Sequence, residues 1–410
     1  MQDRYFDPKE YIQALQQLLV SDKKRIAFMF GAGTSVLAEK DKDTYTIPAV
    51  AKMTEITENK LNELEKFRLA LTEIKEEIGC ESYNIETFLS NIEEKKQIIG
   101  RGRLNGLLRA DFDELVSETK KQIIDIVSVH ETILDSGNIN NLIHVDFAEW
   151  IGQAERKYPI EIFTTNYDYL FELGLEEKEV PYYDGFTGSY RPFFNSESIE
   201  DMCFLPKQTK LWKLHGSLGW YIDSQSLGVT GNRVIKGNSD EDNIIIYPSI
   251  LKYDNSKKQP YISLMDRLSN YLRQPDSILI VCGYSFRDQH INERIITALR
   301  SNTLSHAYVL LHDNVSNRSD ILKIASENSG LTFCGQRDAV IGCKYGKWKL
   351  KNEPDKEDTI NIDTYFDEDG PSFEDTPLGT ENKGKEIWTG EGKLIISDFA
   401  KFINFLHNMI

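Results

Sequence analysis

Paired cysteines are missing from this chain. Its five cysteines are widely spaced and odd in number, and no two of them form a C-x-x-C pair: Cys80, Cys203, Cys282, Cys334 and Cys343. A disulfide framework is therefore not expected. A zinc site built from four thiolates is not expected either. We predict that the protein binds no metal.

Positive charge and long apolar runs are also scarce. The chain has 48 Lys and Arg against 65 Asp and Glu, a formal net charge of −17. Direct nucleic-acid binding is disfavoured, because phosphate contacts need a basic surface. The start, MQDRYFDPKEYIQ, lacks the pattern of a signal peptide, and the apolar runs are too short to span a bilayer. We expect a cytoplasmic protein that binds neither a membrane nor, by itself, nucleic acid.

The usual dinucleotide-binding fingerprint is incomplete. A strand-like run at Arg25–Phe30 precedes the Gly-Ala-Gly-Thr-Ser segment Gly31–Ser35, but Val36 stands where G-x-G-x-x-G needs its third glycine. No second strand ending in an acidic residue follows about twenty residues on, which disfavours a standard NAD-dependent dehydrogenase. The segment is either a phosphate loop, with N–H groups and the Ser35 hydroxyl facing anionic oxygens, or a plain tight turn.

Short apolar strands alternate with helical segments. We predict strands at Arg25–Phe30, Ile160–Thr164, Lys210–Leu214, Asn243–Tyr247, Ser277–Cys282 and Ala307–Leu311. We predict helices at residues 8–20, 169–175, 264–273 and 290–300. This alternation indicates an α/β fold with a Rossmann-like parallel sheet. Ligands bind such sheets at the carboxyl ends of the strands.

A helical insertion and a C-terminal extension complete the predicted organisation. From about Thr54 to Asp135, apolar residues recur at three- and four-residue steps, which indicates amphipathic helices. Their apolar faces either pack against each other and the main domain or bind a partner. We predict a discontinuous main domain at 1–50 and 145–345 and a helical insertion at 51–144. Residues 346–410 would form an acidic connector and a C-terminal helix capped by Ser397.

Three further polar segments follow predicted strands. Asn166 and Asp168 either cap the next helix or place polar groups in the binding cleft. A lone histidine is usually structural, but His215 ends a strand before a glycine, and its side chain titrates near neutral pH. A Gly-x-Ser turn at Ser285 either presents donors to a phosphate or begins a helix. Ends of neighbouring strands line one crevice, so these segments are more informative together than singly.

In this order the segments resemble the sirtuin-like superfamily. Its markers are a GAG-x-S loop, a T-x-N-x-D segment, an H-G dipeptide and a later G-x-S turn, here at Gly31–Ser35, Thr164–Asp168, His215–Gly216 and Gly283–Ser285. The sequences TTNYD, KLHGS and GYSFRD of these segments most resemble those of bacterial sirtuin-like NAD hydrolases of antiviral defence. The resemblance implies that NAD is the substrate.

The resemblance also implies roles for individual residues. Asn166 and His215 would be catalytic. The residues that bind NAD would be Gly31, Ala32, Gly33, Ser35, Asp168, Gly283 and Ser285. Asp168 would help to position the nicotinamide end of NAD, and the glycine loop and Ser285 would contact its phosphates.

Two departures from the family's deacylases bear on the reaction. The zinc ribbon of paired cysteines is missing, and the helical insertion replaces a short cofactor loop. Both departures argue against protein deacylation, and neither argues against NAD binding. The insertion, the C-terminal region and the length resemble the sirtuin-like subunit that assembles with a hexameric HerA-type ATPase.

We therefore expect an NAD glycohydrolase that acts in an oligomeric complex and depletes cellular NAD in antiphage defence. One alternative is a non-catalytic regulatory subunit that senses NAD or ADP-ribose for an ATPase. A protein deacylase and a nuclease are further alternatives with less support from the residues.

Overall fold

The computed structural model describes residues 4–36, 40, 46–223, 233–237, 259–355, 360–373 and 386–409. The chain is a mixed α/β protein with many helices and a large, mainly parallel central sheet. This confirms the predicted Rossmann-like fold class. The predicted strand Asn243–Tyr247 lies outside the described residues.

The described strands are between two and six residues long. They are β1 Tyr5–Phe6, β2 Arg25–Phe30, β3 Glu161–Thr164, β4 Tyr182–Tyr183, β5 Phe186–Thr187, β6 Phe193–Phe194, β7 Thr209–Lys213, β8 Trp220–Asp223, β9 Arg233–Lys236, β10 Ser277–Cys282, β11 His306–Leu310, β12 Leu331–Cys334, β13 Asp338–Ile341, β14 Lys344–Trp348, β15 Phe366–Glu368, β16 Ser372–Phe373, β17 Glu386–Ile387 and β18 Gly392–Leu394.

The α-helices include both short single-turn pieces and long amphipathic segments. They are α1 Pro8–Val20, α2 Gly33–Val36, α3 Val50–Asn62, α4 Arg68–Ile78, α5 Ile85–Ile98, α6 Arg109–Val127, α7 His130–Ser136, α8 Ile143–Gln153, α9 Leu170–Glu177, α10 Ser196–Glu200, α11 Tyr261–Leu272, α12 Gln289–Ser301, α13 Ser319–Glu327 and α14 Phe399–His407.

The chain divides into two compact units. The first comprises Met1–Met29, Trp150–Ile160 and Ser269–Ile410. In it, β10, β11 and β12 are parallel neighbours, whereas β13 and β14 continue the sheet antiparallel. Every residue of β10 is buried, because a parallel strand covered on both faces needs a continuous apolar run. That run is why the sequence predicted β10 at its observed bounds.

The second unit comprises Phe30–Glu149 and Glu161–Leu268. Its parallel strands run in the order β3-β7-β4, with Thr164 of β3 opposite Lys213 of β7. A separate antiparallel sheet of four short strands has the order β5-β6-β9-β8. This unit contains the helices α3 to α7, the first of which begins one residue before the stretch predicted as a helical insertion.

Helices α3 to α7 bury their apolar faces in one core of the second unit. Phe67, Phe88 and Phe112 lie in that core and are at most 1% exposed. The same core includes Leu170 of α9 and Leu218, both close in sequence to polar motifs. The apolar helix faces therefore pack against each other and against segments that carry those motifs.

The C-terminal helix begins later than the sequence predicted. Ser397 is not its N-cap, because α14 starts at Phe399 and the cap is Asp398. The Asp398 carboxylate accepts a hydrogen bond from the Lys401 N–H at 3.1 Å, as an N-cap acid does. The preceding stretch includes an antiparallel pair, β15 with β18. The domain boundaries drawn from the sequence stay predictions.

Within the described ranges, no helix combines the length and the apolar composition that crossing a bilayer requires.

Candidate functional site

Three strand ends of the second unit meet through backbone hydrogen bonds. The Thr165 N–H donates to the carbonyl of Phe30, the last residue of β2, at 3.1 Å. The Leu214 N–H donates to the carbonyl of Thr164 at 2.7 Å. Thr164 and Lys213 lie opposite each other on neighbouring strands. Asn166 follows Thr164 by two residues, and His215 follows Lys213 by two residues. The ladder thus brings the segments at Gly31, Asn166 and His215 together.

The glycine loop turns back on its own carbonyl groups. After Gly31 the chain forms a single helical turn, α2. The Thr34 N–H donates to the Gly31 carbonyl and the Ser35 N–H to the Ala32 carbonyl, both at 3.0 Å. Ala32 and Gly33 are exposed, whereas Thr34 and Ser35 are buried. The loop therefore offers a small, accessible backbone surface above two buried hydroxyl groups.

The Asn166 side chain is bound to this loop. Its amide nitrogen donates toward the Ser35 hydroxyl at 2.8 Å, the Thr34 hydroxyl at 3.1 Å and the Gly31 carbonyl at 3.2 Å. The side chain is 5% exposed. A carboxamide nitrogen has two hydrogens, so the three acceptors share them. The amide nitrogen of Asn166 is thus fully committed to holding the glycine loop.

Asp168 connects the loop to a helix. One carboxylate oxygen accepts the Ser35 hydroxyl at 2.8 Å, and the other accepts the Leu170 N–H at 3.1 Å, at the start of α9. The N-cap position of α9 is Tyr169, so Asp168 is not the cap, although its carboxylate accepts the N–H of the first helical residue and also contacts the loop. Since the Ser35 hydroxyl donates to Asp168, it can only accept from Asn166. A directed chain of hydrogen bonds runs from Asn166 through Ser35 to Asp168.

His215 lies in the turn after β7. It is 7% exposed, and Gly216 follows it with φ +91°, a conformation that a side chain would strain. The turn is held by the Gly216 N–H to the Lys213 carbonyl at 3.2 Å and by the Leu218 N–H to the Tyr167 carbonyl at 3.0 Å. Glycine at 216 therefore serves the turn that positions the imidazole.

A buried ion pair at the same strand ends was missed by the sequence analysis. The Lys213 ammonium and the Glu172 carboxylate are 2.7 Å apart, with side chains 2% and 8% exposed. Burial raises the pKa of Glu172, while Lys213 opposes that shift. The signal available in the sequence was a lysine within a strand predicted to be buried, since a buried lysine needs a partner.

The helical segment also reaches these motifs. His130 of α7 packs its ring edge-on against Tyr169, with ring centroids 4.8 Å apart. The Tyr169 hydroxyl donates to the Leu218 carbonyl. Burial raises the pKa of Tyr169 and lowers the pKa of His130. One titratable side chain of the predicted insertion therefore lies beside the Asn166–Asp168 segment.

The remaining two predicted residues, Gly283 and Ser285, belong to the first unit. They follow β10 in a turn that leads to α12. The Ser285 carbonyl accepts a hydrogen bond from Arg318 at 3.1 Å, and the residue is exposed. In the same turn, Asn292 donates to the Phe286 carbonyl at 2.8 Å. Hydrogen bonds to two of its carbonyl groups thus stabilise the turn, and Ser285 is exposed to solvent.

In the part of the chain that the structure describes, no group of three or more His, Cys, Asp or Glu side chains could hold a metal ion.

The second unit fits the chemistry of a ribose–phosphate ligand. Hydroxyl, amide and carboxylate groups of Ser35, Asn166 and Asp168 are the types that hydrogen-bond ribose hydroxyls. The exposed backbone at Ala32 and Gly33 carries little side-chain bulk, so a phosphate can approach it closely. His215 adds an imidazole, a side chain that can serve as an acid or a base.

Comparison with known families points the same way. Residues 160–333 match a family model described as a SIR2-like domain. The matched stretch contains Asn166, Asp168, His215 and the Gly283–Ser285 turn, while the glycine loop lies before it. The match supports a sirtuin-like protein with an NAD-related function. No curated protein matches the sequence.

Proposed function

We propose that this protein is a sirtuin-like NAD glycohydrolase, which cleaves NAD to nicotinamide and ADP-ribose. The observation that carries the proposal is the chain of hydrogen bonds from Asn166 through Ser35 to Asp168. It lies where the ends of β2, β3 and β7 meet, and Asn166 and Asp168 fall within the SIR2-like match. Strand ends are where α/β sheets bind nucleotides.

The proposed reaction consumes one water molecule. The bond between the nicotinamide nitrogen and the ribose anomeric carbon breaks, and its electron pair leaves with nicotinamide. The water oxygen bonds to the anomeric carbon, and one water proton is released. The protein's part is to orient the reactants and accept that proton.

Asn166 and His215 would share these tasks. Because the amide nitrogen of Asn166 is committed to the loop, its carbonyl oxygen is the atom that would accept a hydrogen bond from water or a ribose hydroxyl. His215, in the neighbouring turn, would accept the released proton directly or through a relay. The exposed Ala32 and Gly33 of the glycine loop would approach the phosphates, because the Ser35 hydroxyl is already paired with Asn166 and Asp168.

The resemblance also suggests how the activity is controlled. An enzyme that depletes NAD must be restrained, so we propose that the isolated chain has little activity. Activity would arise in an oligomeric complex with a hexameric HerA-type ATPase during antiphage defence. Oligomeric state and turnover, measured with and without that partner, test this part separately from the chemistry.

The test of the chemistry is chromatographic analysis of NAD incubated with the protein, alone and with the ATPase. We expect nicotinamide and ADP-ribose in equal amounts. Asn166→Ala and His215→Ala should each lower turnover about a hundredfold or more. Matched controls are Asn84→Ala, which removes a helix cap in α5, and His312→Ala at an exposed site. If both site variants release nicotinamide at the wild-type rate, the proposal is wrong.

A second candidate is an NAD or ADP-ribose sensor without turnover. The closed hydrogen bonding of the glycine loop favours it, because two loop N–H groups and the Asn166 amide nitrogen already have partners within the protein. Such a loop can be a rigid binding platform. Tight NAD binding with no product formed, even in the complex with the ATPase, would favour the sensor.

A further inference from the structure

Lys213 is the buried cation of the candidate site. It is the last residue of β7, and its side chain is 2% exposed. Burying an ammonium group is costly unless each N–H finds an acceptor. The Lys213 ammonium donates hydrogen bonds to four acceptors from two separate chain segments, which offset this cost.

Two of those acceptors are backbone carbonyls next to Asn166. The ammonium donates to the carbonyl of Asp168 and, at 3.3 Å, to that of Tyr167. Neither carbonyl belongs to a strand or an α-helix. A positive charge therefore holds the peptide groups that directly follow Asn166 and carry Asp168.

The other two acceptors are side chains. Lys213 donates to the Ser217 hydroxyl at 2.9 Å and to the Glu172 carboxylate at 2.7 Å. Ser217 lies two residues after His215, and Glu172 lies in the first turn of α9. One ammonium group thus connects the Asn166 segment, the His215 turn and the first turn of α9.

We propose that Lys213 is a positioning residue, which sets the Asn166–Asp168 segment against the His215 turn. The inference rests on the proposed function only for its effect on NAD turnover. Glu172 balances the charge of Lys213, whereas the contacts to the two carbonyls fix the geometry. These two roles can be separated by substitution.

The variants are Lys213→Met and the double variant Lys213→Met/Glu172→Met. The single variant leaves the Glu172 carboxylate buried without its cation, so its unfolding midpoint should fall steeply. The double variant removes both charges and should recover most of that loss. In neither variant does residue 213 have an ammonium group to donate to the carbonyls of Tyr167 and Asp168.

We expect kcat to fall at least about tenfold in both variants with a smaller change in KM, because orientation and not binding is lost. Hydrogen exchange of the 164–170 backbone should be faster than in the wild type in both. Lys95→Met is the matched control. Lys95 is also buried and pairs with Glu77 in the helical segment, so this variant should lose stability with kcat and exchange at 164–170 unchanged.

Recovery of both kcat and wild-type exchange in the double variant would overturn the proposal, because Lys213 would then serve only the ion pair. Unchanged exchange at 164–170 in the two Lys213 variants would overturn it as well. If the wild-type protein shows no NAD turnover, alone or with the ATPase, the proposed function fails. The positioning role is then decided by hydrogen exchange, which needs no substrate.

Discussion

The Ser35 hydroxyl accepts a hydrogen bond from the Asn166 amide at 2.8 Å, although 131 residues separate the two in sequence. The same hydroxyl donates to Asp168. A serine hydroxyl has one hydrogen, so its donor and acceptor roles are both assigned. Ser35 therefore links Asn166, the residue proposed to orient water, to the Asp168 carboxylate, which accepts the Leu170 N–H at the start of α9.

Replacing Ser35 by alanine should break this link. The Asn166 amide would keep Gly31 and Thr34 as acceptors, but Asp168 would lose its donor. We expect kcat/KM for nicotinamide release to fall about tenfold or more, equivalent to about 1.4 kcal/mol of transition-state stabilisation. Steady-state kinetics of the active complex measure it.

The control for Ser35→Ala is a buried hydroxyl away from the motifs. Thr119 is fully buried, and its hydroxyl donates to the Leu115 carbonyl at 2.7 Å within α6. Thr119→Val should lower stability slightly and leave turnover unchanged. Wild-type kinetics in Ser35→Ala would show that the hydrogen-bond chain has no part in the reaction.

The strands could be predicted from the sequence because their apolar runs are short and uninterrupted. Arg25–Phe30 and Ser277–Cys282 have the predicted bounds, and the other described strands of that prediction shift by one residue. The glycine loop and the Asn166 segment meet, as expected of strand ends that share one edge of a sheet. A period of two or a continuous apolar run is thus enough to place Asn166 and His215.

The contacts of the site could not be predicted in the same way. Nothing in the local pattern says that the Asn166 amide binds the glycine loop or that Ser35 meets Asp168, because these contacts depend on the packed tertiary structure. The pattern of β7, TKLWK, places Lys213 in a buried strand but does not say which groups pair with its ammonium. Side-chain partners that are distant in sequence require coordinates.

Breaking a second buried ion pair, between Arg267 and Glu161, should lower stability strongly. Arg267 donates to Glu161 at 2.6 Å and 3.0 Å, and the Trp212 indole donates to the same carboxylate at 2.7 Å. The side chains of the pair are 1% and 5% exposed. Arg267→Met should lower the free energy of unfolding by about 3–5 kcal/mol, because a buried charge is left without its partner. Urea denaturation measures the loss.

Two further variants check this explanation. Adding Glu161→Gln to Arg267→Met should recover part of the lost stability, since the remaining charge is removed while an acceptor for Trp212 is kept. Lys52→Met breaks an ion pair whose side chains are both 58% exposed and should cost less than about 1 kcal/mol. A loss of similar size for Arg267→Met and Lys52→Met would contradict the prediction.

Stability should depend on pH through His144. Burial lowers the pKa of this histidine from 6.5 to about 3 in the folded protein. Between these values the unfolded chain binds a proton that the folded protein does not bind, so stability falls as the pH falls from about 6.5 toward about 3. One such group contributes up to about 1.4 kcal/mol per pH unit.

The variant His144→Leu should lack this contribution. We expect the free energy of unfolding to decline less between pH 6.5 and pH 5 in the variant than in the wild type, with equal slopes above pH 7. Chemical denaturation at several pH values gives both slopes. Identical slopes below pH 6.5 would show that His144 does not titrate in this way.

Substitutions at Gly219 and Tyr169 should have coupled effects on stability. A Cβ atom at Gly219 would lie 2.3 Å from that hydroxyl, and its φ of +75° disfavours any side chain. Gly219→Ala should therefore cost more than the roughly 1–2 kcal/mol of the backbone conformation alone. Tyr169→Phe loses the hydrogen bond to the Leu218 carbonyl, worth about 1 kcal/mol.

The double variant isolates the clash with the Tyr169 hydroxyl, because the 3.1 Å contact with the Gly237 carbonyl and the backbone cost both remain in it. With phenylalanine at position 169, the nearest ring carbon lies 3.7 Å from the new Cβ, an ordinary contact. The double variant should therefore be at least about 1 kcal/mol more stable than the sum of the two single losses predicts. Additive losses would mean that position 219 requires glycine for its backbone conformation and its contact with the Gly237 carbonyl, and not for the tyrosine beside it.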